Sequence, residues 1–245
     1  MQIELLEKID GERKAVFHLK KTSVEMVNAL RRAVLLSLPC FAIDSVEIYE
    51  NNSPFFSEYI ANRIGQIPLT FEPSVVPDSK ITFSLNAEGP GIITTKDLVS
   101  SDEKIVPVNP DFPIVELAAN QRIRFEATAI LSTAITHAKF QCAHASFSNF
   151  PVFDLKKNST KLKEFYNQIP KSQFDKNGEI KPNKADALEW FIEENPDLGT
   201  VDYKNNEFVF QIESYNNVSA IKHLVAAIES LKKDTAEFKK QLKEI

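Results

Sequence analysis

Residues 221–245 read IKHLVAAIESLKKDTAEFKKQLKEI. Apolar side chains recur there at alternating spacings of three and four, the heptad pattern of a long helix with a narrow apolar stripe. The stripe positions are Ile221, Leu224, Ile228, Leu231, Thr235, Phe238, Leu242 and Ile245. A helix of roughly 28 residues would extend about 42 Å, farther than a small domain usually covers. We therefore expect part of the stripe to pack on a second chain; the alternative is a helix packed wholly within its own chain.

The amino-terminal end of the chain carries a hairpin pattern followed by a helix. Residues 2–9 and 14–20 contain apolar alternation on either side of a Gly-containing turn, which is typical of paired strands. Thr22 and Glu25 have the spacing of a capping box, so a helix should begin there and end before Pro39. Three apolar residues share one face of this helix: Val27, Leu30 and Val34.

The middle of the chain is rich in strand patterns. Residues 81–85 and 123–130 alternate apolar and polar side chains, and residues 208–212 mark another strand. Residues 184–194 have a helical pattern within a stretch rich in Lys, Asn and Pro. Helices and strands thus both occur along the chain, which we expect to belong to the α+β class.

The composition excludes several classes of function. The chain has 245 residues, a net charge of -5 and no long basic run, so direct binding to nucleic acid or to an anionic membrane is not expected. Its six glycines form no phosphate-binding loop. Cys40 and Cys142 lie far apart and give no disulfide framework, which fits a reducing, cytoplasmic compartment.

One group of residues has the chemistry of a metal site. His137, Cys142 and His144 are close in sequence, and sulfur and imidazole are ligands that suit zinc. Only three candidates are present, and a buried or interfacial strand explains them without a metal. We therefore expect no metal site, and we find no set of residues with the pattern of a catalytic site.

Six separated segments carry a family resemblance: 28–32 (NALRR), 38–39 (LP), 42–46 (AIDSV), 58–69 (EYIANRIGQIPL), 137–141 (HAKFQ) and 208–214 (FVFQIES). In this order they resemble the alpha-like subunits of DNA-directed RNA polymerase over nearly the whole chain. The best match within that family is its archaeal branch, the D-type subunits. Relatives of that branch are the third-largest subunit of eukaryotic polymerase II and the amino-terminal domain of the bacterial alpha subunit.

The resemblance implies an architecture and a set of partners. A dimerisation domain would be built from residues 1–45 and 202–245, with a β-rich domain inserted at 46–148. The dimerisation domain would pair with a smaller subunit L, and the pair would form, with subunits N and P, a platform for the large catalytic subunits. The chain itself would perform no chemistry. The expected contacts with subunit L are Ile221, Leu224, Ile228, Leu231, Phe238, Leu242, Val27, Leu30 and Val34.

Three arginines are candidates for docking the large subunits. By resemblance, the region of the first helix faces those subunits, which makes Arg31 and Arg32 interface candidates and Arg63 a weaker one. A guanidinium can form two parallel hydrogen bonds with a carboxylate across such an interface. The alternative is that these arginines are ordinary solvated charges.

Many archaeal members of this family contain a ferredoxin-like domain with iron–sulfur clusters, and residues 149–201 occupy its place. The cluster spacing Cys-x2-Cys-x2-Cys-x3-Cys-Pro fits one register of this segment. The four ligand positions are then Ala185, Leu188, Phe191 and Asn195, followed by Pro196. We expect a degenerate ferredoxin-like domain that binds no cluster; the alternative is an unrelated insertion.

A rival function from another class is an archaeal sliding clamp, which has a similar length and acidity. Clamps consist of two similar halves, and we find no repeat between the halves of this chain. A clamp would form a ring of identical chains, whereas an alpha-like polymerase subunit of this type would pair with a smaller and different protein.

Overall fold

A computed structural model describes residues 1–74, 79–156, 159–175 and 177–244 of the chain. The contacts divide it into two compact units. The first contains Met1–Arg31 and Ala145–Ile212, and the second contains Arg32–His144 and Glu213–Ile245. Ile245, the last position of the predicted stripe, lies outside the described residues.

The described residues form five α-helices and ten strands, which confirms the α+β class. The helices are α1 (Val24–Leu36), α2 (Ser57–Gly65), α3 (Thr160–Gln168), α4 (Asp186–Glu194) and α5 (Ala220–Gln241). The strands are β1 (Gln2–Ile9), β2 (Lys14–Lys20), β3 (Pro39–Asn51), β4 (Ile81–Glu88), β5 (Gly91–Thr94), β6 (Val99–Ser100), β7 (Pro113–Leu117), β8 (Arg122–Thr133), β9 (Ala143–Leu155) and β10 (Gly199–Ser214).

The first unit contains a four-stranded sheet with the order β1-β2-β10-β9. Strands β1 and β2 are antiparallel, with Gln2 opposite Lys20 and Ile9 opposite Lys14, so the predicted hairpin is confirmed. The turn between them has positive φ angles at Asp10, Gly11 and Glu12, of 52°, 60° and 74°. Three successive residues in this left-handed region reverse the chain within a few positions.

Helices α3 and α4 lie between β9 and β10 in the sequence and have a small apolar core of their own. Its buried members are Leu162, Ile180, Leu188 and Ile192. The sequence pattern predicted α4 but not α3, which has only nine residues, two of them Lys and one Glu. Gly199 begins β10 against the backbone carbonyl of Asp154, where a side-chain carbon would collide with the oxygen.

The second unit contains a four-stranded sheet with the order β3-β8-β4-β6 and a two-stranded sheet of β5 and β7. Strands β3 and β8 are antiparallel over nearly their full length, from Pro39 opposite Thr133 to Asn51 opposite Ile123. Strand β4 pairs with the other edge of β8. The rings of Phe41, Phe83 and Phe125 are almost fully buried and lie in the core of this unit.

Helix α5 also belongs to the second unit. It begins after Ser219, whose hydroxyl accepts a hydrogen bond from the Lys222 backbone N–H at 3.4 Å. It has 22 residues and ends at Gln241, so it extends about 33 Å and is shorter than the sequence pattern indicated. Lys239 and Lys240 lie in its last turn, where positive charge favours the helix dipole. None of the helices among the described residues combines the length and apolar character needed to cross a bilayer.

Candidate partner-binding surface

The stripe of α5 is covered in its amino-terminal half. Leu224 is 4% exposed, and Ile221, Ile228 and Leu231 are half-buried. Ala227, which lies one position before Ile228, is completely buried. The first three turns of the helix are thus fixed by packing within the chain.

The stripe is uncovered in its carboxy-terminal half. Phe238 is 61% exposed and Leu242 is 54% exposed. Every described residue from Lys232 to Glu244 is exposed. Thr235 donates a hydrogen bond from its hydroxyl to the Leu231 carbonyl at 2.7 Å, so its polar atom is satisfied within the helix. The apolar stripe therefore continues for the last two to three turns of α5, where no other described part of this chain covers it.

The three residues of α1 that were expected to contact subunit L are buried within this chain, unlike the end of the α5 stripe. Val27, Leu30 and Val34 are 0%, 1% and 0% exposed, so these three side chains already belong to the core of this chain. Their shared face packs inward, and no surface of theirs is left for a partner. The apolar surface that α1 offers to solvent comes instead from Val24 and Met26, each 50% exposed.

A buried polar cluster holds the start of α5. The Nε2 atom of His223 lies 3.1 Å from Asn216 Oδ1 and 3.1 Å from Ser214 Oγ, while its Nδ1 atom lies 3.7 Å from Cys142 Sγ. Burial lowers the pKa of His223 to about 4. The ring is therefore neutral near pH 7, and these contacts suit an imidazole that donates from Nε2 and accepts a thiol hydrogen at Nδ1.

The residues considered for metal binding are not brought together. Cys142 contacts His223, His137 Nδ1 accepts a hydrogen bond from the Lys139 backbone N–H at 3.1 Å, and His144 is exposed. Burial raises the pKa of the Cys40 thiol to about 12 and raises that of Cys142 further, so both thiols stay protonated. Across the described parts of the chain, no three His, Cys, Asp or Glu side chains are grouped to hold a metal ion.

The three candidate arginines differ in their surroundings. Arg31 donates from Nε and from a terminal nitrogen to Asn28 Oδ1 at 3.1 and 2.9 Å, while Arg32 is exposed. Arg63 donates to the Pro113 carbonyl at 2.5 Å, and its guanidinium lies 5.8 Å from the ring centre of Tyr59. Arg63 is thus fixed against α2 and β7, whereas the exposed side chain of Arg32 can reach a partner.

An aromatic surface beside Arg63 was not predicted from the sequence. Phe56 is 81% exposed, Tyr59 is 49% exposed and Phe55 is 40% exposed. The rings of Phe55 and Tyr59 stack with their centres 5.5 Å apart. A signal was present, since three aromatic residues occur within five positions directly after Pro54. Exposed rings in such a group are enriched at protein interfaces.

The four positions that would carry cluster ligands do not fit an iron–sulfur cluster. Ala185 and Leu188 are each 1% exposed, and the ring of Phe191 stacks on Phe165 with centres 4.2 Å apart. Asn195 donates from Nδ2 to the Phe191 carbonyl at 2.9 Å and so caps the end of α4. These side chains supply no thiolate, and three of them form apolar contacts instead.

Comparisons with known proteins agree on one family. Residues 46–152 match the RNA polymerase Rpb3/RpoA insert domain. DNA-directed RNA polymerase subunit Rpo3 of Pyrococcus furiosus is 42% identical over 171 residues, which cover 67% of this chain and 65% of that protein. The corresponding subunit of Pyrococcus horikoshii is 43% identical over 60% of its own length. The match to subunit Rpo3 of Thermococcus kodakarensis, 32% identical, covers 99% of this chain and 98% of that protein. The chain therefore belongs to the family of archaeal DNA-directed RNA polymerase subunit Rpo3, the alpha-like subunits that the sequence motifs resemble.

Proposed function

We propose that this chain is a non-catalytic assembly subunit of an archaeal DNA-directed RNA polymerase in the cytoplasm. It pairs with the smaller subunit L through the uncovered stripe of α5. Together with subunits N and P, the pair forms the platform on which the large catalytic subunits assemble. The pairing domain comprises residues 1–45 and 202–245, and residues 46–148 form the inserted domain.

The observation that carries this proposal is the uneven cover of α5. Leu224 is 4% exposed in the first half of the helix, while Phe238 is 61% exposed in the second half. A helix that served only its own fold would gain nothing from a stripe that continues into solvent. A second helix from a partner chain would bury Phe238 and Leu242 and extend the packing already made by Leu224.

The surroundings of the buried polar groups support a structural role. His223 is 4% exposed, and Cys142 is 1% exposed. The neutral imidazole and the protonated thiol are both inaccessible to a substrate, and the thiol is not a nucleophile in this form. Their contact instead connects α5 to the strands that precede it. We therefore assign no catalytic residue to this chain.

We place the docking of the large subunits on Arg31, Arg32 and Arg63. The exposed rings of Phe56 and Tyr59 extend the surface around Arg63 and supply the apolar contact area that an arginine alone lacks. For residues 149–201 we propose a cluster-free domain held by apolar packing, because Leu188 belongs to its buried core and the half-buried Phe191 packs against that core.

The sliding-clamp alternative is set aside. The relatives of this chain are polymerase subunits, and the match to the Thermococcus kodakarensis protein covers 99% of this chain.

Co-expression with a subunit L homologue followed by light scattering tests the proposal. The wild-type chain should elute with subunit L as a one-to-one heterodimer. Ile228→Glu or Leu231→Glu should abolish pairing, because each places a charge in the half-buried centre of the stripe. Lys233→Glu, on the opposite face of the same helix, is the matched control and should still pair. Recovery of both stripe variants with subunit L, or a homotrimer of the wild-type chain alone, would contradict the proposal.

A further inference from the structure

The outer face of α4 exposes the one tryptophan of the chain. Trp190 is 74% exposed. The side chains that surround a helical residue lie three and four positions away, and for Trp190 these include Asp186, Glu193 and Glu194. Tyr203 of β10 lies beside the same helix, since its hydroxyl donates to Glu189 Oε2 at 3.2 Å. We call this surface the α4 face; its members are Asp186, Glu189, Trp190, Glu193, Glu194 and Tyr203.

The charge of the α4 face is strongly one-sided. Residues 185–203 contain six Asp and Glu residues and no Lys or Arg, while the whole chain has a net charge of -5. The pKa of Tyr203 is raised, first by burial and then by the negative charges of Glu189, Glu193 and Asp186. The negative charges of these three carboxylates therefore all reach the Tyr203 hydroxyl. Within the described ranges of the chain, no Lys or Arg forms an ion pair with a carboxylate of the α4 face.

These features oppose the stability of the free chain. Glu189 is three positions from Asp186 and four from Glu193, and like charges at these spacings destabilise a helix. Glu193 and Glu194 lie at the carboxyl end of α4, where the helix dipole is already negative, and the last turn contains no basic residue. The exposed indole of Trp190 adds apolar surface to water. A bound cation with a flat apolar face would relieve all three effects.

We propose that the α4 face docks an arginine-rich segment of another protein chain. A guanidinium can lie over the indole ring of Trp190 while its N–H groups donate to Glu193 or Glu189. Lysine offers a compact charge without this planar fork, so arginine is the better match. Nucleic acids and anionic membranes would be repelled by the same carboxylates.

Because Trp190 is the one tryptophan, its fluorescence reports on this face directly in the full chain. The probe is a synthetic octa-arginine peptide, titrated at physiological salt. We expect a saturable blue shift of the emission as the indole leaves water. The double variant Glu189→Gln with Glu193→Gln should weaken binding at least about tenfold, since each carboxylate lost removes a charge-assisted contact. An octa-lysine peptide should bind several-fold more weakly.

The matched control is the double variant Glu229→Gln with Glu237→Gln, which changes the net charge equally but alters residues of α5. It should change the octa-arginine affinity less than twofold. Far-ultraviolet circular dichroism verifies that each variant keeps its helices. Equal weakening in both double variants, binding without a shift in the Trp190 emission, or equal affinity for octa-lysine would each overturn the proposal. This test needs no polymerase subunit, so its failure would leave the proposed pairing with subunit L untouched.

Discussion

Replacing Phe238 with alanine removes the largest uncovered side chain from the stripe of α5. Phe238 is 61% exposed in the isolated chain, and an aromatic side chain buries about 200 Å² when it is fully covered. A partner that covered it would therefore remove about 120 Å² from water. At about 25 cal/mol per Å², this contributes about 3 kcal/mol, of which the alanine methyl group keeps a part.

Phe238→Ala should consequently weaken pairing with subunit L by about 2 to 3 kcal/mol, or about 30- to 150-fold in the dissociation constant. The free energy of unfolding of the chain alone should change by less than about 0.5 kcal/mol, because the ring is exposed there. The dissociation constant reports on partner binding, and the free energy of unfolding reports on folding. Isothermal titration calorimetry with subunit L measures the first, and urea unfolding measures the second.

Phe56→Ala is the matched control for this experiment. Phe56 is 81% exposed and lies directly before α2, away from the stripe in sequence, so its replacement removes a ring of the same size without touching α5. It should leave the affinity for subunit L unchanged. A Phe238→Ala chain that binds subunit L within threefold of the wild type would refute the assignment of the stripe, as would an equal loss in Phe56→Ala.

Two further predictions concern stability, and a third concerns iron. The pKa of His223 is about 4 in the folded chain and near 6.5 in the unfolded chain, so protonation of this ring favours unfolding. The free energy of unfolding should therefore be highest above pH 6.5 and should fall by about 3 kcal/mol in total as the pH approaches 4. Urea unfolding at pH 7 and pH 4.5 should show this loss in the wild type and less of it in His223→Gln; identical pH dependence would contradict the prediction. Phe191→Ala should destabilise the packing around α4 by about 2 to 3 kcal/mol and expose residues 159–198 to limited proteolysis, while Trp190→Ala, next to it but 74% exposed, should not. Anaerobically purified wild-type protein should contain no stoichiometric iron, and iron with a visible absorption band would refute the cluster-free assignment of this segment.

Several elements of the fold could be predicted because their signals are local. The hairpin of β1 and β2 was predicted with the bounds that the structure has, since strand alternation and a Gly-containing turn lie within twenty residues. The predicted helix at 184–194 agrees with α4 to within about two residues. Helix α3 and the short strands β5 to β7 carry weak patterns, and only contacts with distant segments stabilise them.

The candidate site was only partly predictable for the same reason. The heptad spacing identified α5 as a helix with an apolar stripe, but it could not tell which half is covered. The sequence also assigned Val27, Leu30 and Val34 to a partner interface, while the structure places all three in the core of this chain. The exposed rings of Phe56 and Tyr59 were missed, because a sequence alone does not distinguish an exposed phenylalanine from a buried one.

The sequence by itself determined the periodicity of α5, the absence of thiols from residues 149–201 and the motifs of the family, since these are properties of neighbouring residues along one chain. Only the tertiary structure decided that Leu224 is covered while Phe238 is not, and that His223 meets Cys142 and Asn216 in one buried cluster. Burial is a relation between residues that are far apart in sequence. Local spacing restricts which face of a helix is apolar, and the folded chain decides what lies against that face.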